Sequence, residues 1–226
     1  ALAKVYLEKG ANQKAAMQKL VELRARSAKK AYLEEVKSDA TGYAGSAAEA
    51  LGETEATDTI PELLKLYEET DSDDVKINVL RGLQHMPSAK MVEPLVQTLK
   101  LSVDNHPIAL HSYSCDILGN VAAKNPGALD EKAKVALVRA IFLSNKKGQD
   151  VAQECGIAVQ KLGEPVHPVL VKLFKGELEP VNQLLRKYRT DSSKFPPNRA
   201  KVAAVQRLTT MRAEPAKKLF LDDLDR

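Results

Sequence analysis

The stretch Ala47–Thr70, AAEALGETEATDTIPELLKLYEET, holds two apolar helical runs around a Leu-Gly pair and a Pro. It recurs. Aligned on the Leu of that pair, five ten-residue segments share a frame: YAGSAAEALG (43–52), VKINVLRGLQ (75–84), LHSYSCDILG (110–119), ECGIAVQKLG (154–163) and AKVAAVQRLT (200–209). Two adjacent columns stay small or apolar throughout. They are Ala47, Val79, Ser114, Ala158, Ala204 and, beside them, Ala48, Leu80, Cys115, Val159, Val205. With the anchors Leu51, Leu83, Leu118, Leu162 and Leu208 they lie three and four residues apart, on one buried face of a helix.

The Gly that follows the anchor in three copies predicts a helix stop, because Gly enters positive φ without a Cβ penalty. A second helix then begins, marked by a Pro near its first turn where the missing N–H costs nothing. It is seen in TIPELLKLYEE (59–69), MVEPLVQTLKL (91–101) and PVHPVLVKLF (165–174). Successive anchors are 32, 35, 44 and 46 residues apart, the expansions falling at Ala122–Lys132 and at Arg186–Lys201. The latter reads as a loop because Pro196-Pro197 cannot continue a helix.

Composition agrees with helices. Of 226 residues 44% are apolar but only 4% aromatic, and Trp is absent, which suits small and aliphatic helix packing better than a sandwich of strands. Residues 1–40 carry no clear copy. They predict a helix around Leu2–Lys9 and a longer one from Ala11 to Val36, with Met17, Leu20, Leu23, Ala28 and Ala31 on its apolar side, a hairpin covering the first repeat.

The pattern of a small apolar pair, Leu-Gly, then Pro-x-Leu resembles HEAT repeats, the helical-hairpin class within armadillo-type folds. The likeness runs from Tyr43 to Leu224, weaker in the third copy and in the fifth, where Thr209 replaces Gly. It implies an all-α chain: a right-handed α-solenoid of about five hairpins (41–71, 72–104, 105–146, 147–190, 198–226), continuous over 41–226, behind an N-terminal hairpin at 1–40. A single hairpin cannot bury its own stripe, so hairpins stack and create surface. In the family the second helices line the concave side and grip another macromolecule. Transferred here, the lining falls at Glu62–Glu69, Glu93–Lys100, Lys134–Arg139, His167–Lys175 and Lys217–Asp223. The candidate partner-binding residues are Glu62, Lys65, Glu69, Gln97, Lys100, Lys172, Arg186, Lys187, Arg189, Lys194 and Arg199.

The net charge of +4 is too small to demand a polyanion, yet charge is polarised along the chain. Ten acids stand against Lys65 alone between Glu49 and Asp74, and ten bases against Asp191 and Glu214 between Arg186 and Lys218. A partner with a complementary gradient is the expectation. In the acidic run EETDSDD (68–74), the EF-hand spacing is missing, and Asp73 or Asp74 is expected to cap the helix starting at Val75.

Chemistry is sparse. His85, His106, His111 and His167 contain no pair at the four-residue metal spacing. His111 shares a column with Lys76 and Lys201, which predicts a surface or inter-repeat polar contact. Two Cys make no disulfide framework and leave the redox compartment open. Cys115 falls in a core column; Cys155 lies in a more variable one, where a reactive thiol has no motif to support it. SYSC (112–115) lacks the nucleophile elbow and sits inside a helix. Neither a dinucleotide fingerprint nor a Walker loop occurs.

The reading is therefore a non-catalytic scaffold for another protein, with no cofactor or metal. Two alternatives stay open: a HEAT-like DNA-backbone binder, as among some base-excision glycosylases, using the basic C-terminal stretch, or an enzyme-accessory subunit. HEAT-like folds include bilin-lyase subunits and metal-dependent hydroxylases; the latter use His-Glu pairs, and no His here precedes a Glu. Leu219, Phe220 and Leu224 have nothing after them to cover them, which predicts inward packing on the fifth first helix, a longer parent chain, or cover by a second molecule. No apolar run reaches the ~20 residues of a membrane span. The chain begins at Ala1 without Met or a complete signal, as expected of a processed or excised product, and its compartment stays open with cytoplasmic as the default.

Overall fold

The computed structural model describes residues 1–188, 198–214, 216, 217, 219 and 221. Among them the chain is helical and forms no strand; one isolated bridge joins Ser144 to Asp150. Two compact units are formed, Ala1–Pro94 and Leu95–Arg226.

The first unit contains α1 (Leu2–Leu7), α2 (Gln13–Leu23), α3 (Lys29–Ser38), α4 (Ala44–Glu53), α5 (Ile60–Glu69) and α6 (Asp73–Leu83), and α7 (Val92–Thr98) begins in it. Short 3-10 turns at Arg26–Ala28 and Thr57–Thr59 lead into α3 and α5, and one at Ala89–Met91 leads into α7. The same order, helix then 3-10 turn then helix, therefore holds for α2/α3, α4/α5 and α6/α7. Within the unit α3 packs on α4, α4 on α6 and α3 on α5.

The long N-terminal helix expected from Ala11 to Val36 is two helices. Arg24 takes the left-handed conformation (φ 47°) and ends α2. A continuous helix would hold Leu20 and Tyr32 about 18 Å apart. The break instead folds α3 back, so that the Tyr32 hydroxyl donates to the Leu20 carbonyl at 2.6 Å. Met17, Leu20, Ala28 and Ala31 are buried as expected, but Leu23, at the break, is 58% exposed. A buried carboxylate closes this end: Glu35 accepts from the Tyr6 hydroxyl (2.8 Å), the Thr41 N–H (3.0 Å) and hydroxyl (2.8 Å), and the Tyr43 N–H (3.0 Å). Four donors compensate its desolvation. Burial first, and then the bond to Glu35, raises the Tyr6 phenol far above its usual range.

The second unit contains α8 (Ile108–Lys124), α9 (Glu131–Ala140), α10 (Ala152–Leu162), α11 (His167–Lys175), α12 (Glu179–Tyr188) and α13 (Arg199–Thr210). Here too 3-10 turns, at Pro126–Ala128 and Glu164–Val166, join α8 to α9 and α10 to α11. α8 packs on α10, α9 on α11, α11 on α13 and α12 on α9. Asp130 caps α9, accepting from the Ala133 N–H at 2.8 Å.

All five anchors are buried, on α4, α6, α8, α10 and α13, at 0–2% exposure. Two local expectations need correction. Gly52 and Gly119 are not helix stops: α4 and α8 run past them, and of the three post-anchor glycines Gly163 alone takes positive φ at a helix end. A Cβ on Gly52 would overlap the backbone of Gly82 on α6, and one on Gly119 would lie 2.8 Å from Ala158 Cα on α10. These glycines permit close helix crossing. The cap of α6 is Ser72, whose hydroxyl accepts from the Val75 N–H at 3.3 Å, with Asp73 and Asp74 already in the first turn.

Candidate binding surface

In the first unit a groove of about 620 Å³ opens between the C-terminal end of α3 and α5, the second helices of consecutive pairs. α5 puts Ile60, Leu63, Leu64 and Tyr67 inside, which leaves Glu62, Lys65 and Glu69 on the groove side with Val36, Lys37 and Asp39 opposite. Lys37 stands 3.7 Å from Glu62 and Lys65 3.9 Å from Glu69. At these exposures such pairs add little stability and leave the charges available to a partner. The Glu62 Oε2 atom is buried and accepts no hydrogen bond. Three of the candidate residues, Glu62, Lys65 and Glu69, are thus brought together.

Gln97 and Lys100 are joined as well, and the remaining described candidates are dispersed. In the second unit Lys100 donates to Gln97 Oε1 at 3.1 Å, and Lys172 on α11 reaches Glu131 on α9 at 3.1 Å. Arg186 pairs with Glu179 within α12, where Lys187 is exposed. Arg186 also lines a cleft of about 400 Å³ with Lys175, Lys201 and Asn182. Arg199, half-buried at the start of α13, lines a separate cleft of about 350 Å³ with Phe142, Val202 and Arg207. Arg189 and Lys194 lie outside the described residues, as do Phe220, Leu224 and Pro196-Pro197; at the ends of the stretch expected as a loop, residues 186–188 belong to α12 and 199–201 to α13.

Of the ten acids read from the sequence as an acidic pole, Glu49, Glu53, Asp58 and Glu62 are paired with bases from outside that segment. Glu49 sits 3.7 Å from Arg24 and 3.9 Å from Arg81, Glu53 pairs with Arg24, and Asp58 accepts from Lys29 at 2.7 Å. The Lys29 hydrogen bond holds the Asp58 carboxyl below the usual carboxylate range. The bases come from neighbouring helices distant in sequence, so a count along one segment overstates the field.

Polar residues of one column reach back to the preceding pair. Lys76 on α6 lies 6.0 Å from the Tyr67 ring centroid, and Lys201 on α13 lies 4.9 Å from that of Phe174. His111 in the same column is fully buried, with Nε2 3.2 Å from the Leu101 carbonyl. Of the two contacts expected it is not the surface one; the carbonyl lies between α7 and α8. Burial, first among the causes, lowers the His111 pKa, so the neutral ring is the folded form.

Cys155 occupies the same column, and it is disulfide-bonded to Cys115 on α8. Both residues are 0% exposed. The sequence offered no disulfide framework and no motif for a thiol at Cys155; the two cysteines are mates, and neither is free. Sequence reasoning also missed Arg207, whose half-buried guanidinium lies against Gly156 and donates to the Ala203 carbonyl at 3.1 Å. Desolvation lowers its pKa.

Among the described residues no group of three or more His, Cys, Asp and Glu side chains could hold a metal ion. No described helix is long and apolar enough to cross a membrane. The chain matches no protein-family model and no curated protein.

Proposed function

We propose that the chain is a HEAT-type α-solenoid of about five helix pairs and serves as a non-catalytic docking platform for another protein along its second helices. The observation that carries this reading is the groove between α3 and α5, where successive second helices present Lys37, Glu62, Lys65 and Glu69. The recurring order of helix, 3-10 turn and helix supports the repeat assignment, as do the buried anchors and the backward contacts of Lys76, His111, Cys155 and Lys201. Mixed charges on such a rim set register and encounter rate more than affinity.

The test is paired affinity capture from the native source with the wild type and Lys37→Glu/Lys65→Glu. A partner retained by the wild type and lost by the variant, at unchanged helicity, is expected. Equal recovery by both would remove the groove from the account.

The basic cleft of Lys175, Arg186 and Lys201 favours a second reading, contact with a nucleic-acid backbone. It predicts duplex-DNA binding that weakens steeply with salt; no mobility shift at low salt ends it.

A further inference from the structure

We propose that Cys115 and Cys155 form a structural cross-link made by thiol exchange with an external disulfide, so that the second unit completes its fold in an oxidising compartment. The chain has two cysteines, 40 residues apart, and no free thiol remains. They stand on different helices and in different columns of the repeat: Cys115 in the core column of α8, Cys155 in the column of α10 that reaches back to the preceding pair. The bond therefore joins the first helices of consecutive pairs and fixes the register of α8/α9 against α10/α11, which Lys172 and Glu131 also span at the surface.

Formation balances as a two-electron exchange. Each thiol gives up its proton, one sulfur attacks the external disulfide to form a mixed disulfide, and the second sulfur displaces it. The donor disulfide leaves as two thiols. Such bonds persist where thiols are not kept reduced. Because both residues are 0% exposed, a reductant must wait for local opening before it reaches either sulfur.

The experiment uses the full chain made in an oxidising and in a reducing host compartment, alkylated on denaturation without reductant. From the oxidising compartment the chain should resist alkylation and yield one cross-linked peptide pair containing both cysteines. From the reducing one it should arrive as a dithiol, then regain the bond with glutathione disulfide. Full reduction with a phosphine should lower Tm by about 10 °C, from the loop-entropy gain of a cross-link spread over a chain this long. Reduction should be slow in native buffer and fast in denaturant. Cys115→Ala/Cys155→Ala should melt with the reduced wild type and ignore the phosphine; should that variant not fold, the reduced wild type supplies the same readout. Free thiols after exposure to glutathione disulfide would overturn the proposal, as would a bond whose reduction leaves Tm unchanged.

Discussion

The two units solve one packing problem in two ways. In α4/α6 and in α8/α10, first helices of consecutive pairs cross where the residue after one anchor meets the residue before the next anchor. In the first unit both are glycine: Gly52 faces Gly82, and Gly82 also lies against the Ala48 backbone, so main chain meets main chain. In the second unit Gly119 meets Ala158 and the stem of Lys161, whose Cδ lies 3.2 Å from where a Gly119 Cβ would stand. A covalent bond is added there. Main chain comes closer at the first crossing, which gains dispersion there, and the second crossing carries a disulfide.

That contrast can be broken or sharpened by substitution. The largest loss is expected on removing the bond: Cys115→Ala/Cys155→Ala should cost about 4 kcal/mol in denaturant unfolding, the loop-entropy value for a cross-link spanning this many residues. Gly52→Ala follows at about 3 kcal/mol, since its Cβ meets backbone that can yield only by separating the helices. Gly119→Ala should cost less, about 1.5 kcal/mol, because its Cβ would stand 2.8 Å from the Ala158 Cα, a smaller backbone overlap than at Gly52. Equal losses at Gly52 and Gly119 in the same unfolding measurement would erase the distinction between the units.

A smaller effect is expected from pH. His111 has a folded pKa lowered from 6.5, so its contribution is complete above about 6.5 and is lost as pH falls below that value toward the folded pKa. The imidazolium would face Arg139 and His106, which already lower its pKa. Stability should therefore decline with a slope of at most about 1.4 kcal/mol per pH unit for this one group. His111→Gln should flatten that slope in melts between neutral and mildly acid pH. Smallest of all, Lys29→Ala should leave Tm unchanged at physiological salt, because its pair with Asp58 is exposed.

The frame of small and apolar columns made the buried face legible: Leu51, Leu83, Leu118, Leu162 and Leu208 are interior, and Pro61 and Pro168 sit in the first turns of α5 and α11. Periodicity reports which side of a helix faces inward. It does not report what lies across the gap, and the errors follow from that. Gly52 and Gly119 look like helix stops until the neighbouring helix is in view. Cys155 occupies a column that holds Ala, Lys or His elsewhere, so only the crossing of α8 and α10 reveals Cys115 as its mate. Likewise Arg24 ends α2 where apolar spacing continues, and its side chain then answers Glu49 and Glu53 on α4, a pairing invisible to a count of charges along the segment. Of the candidate binding residues, Glu62, Lys65 and Glu69 converge because they share one helix; those chosen from separate helices do not.

The most direct test of the docking account is amide hydrogen exchange on the complex with the captured partner. Added protection should concentrate at the end of α3 and along α5, residues 34–39 and 60–69. Protection confined to the first helices α4 and α6, with α3 and α5 unchanged, would contradict it.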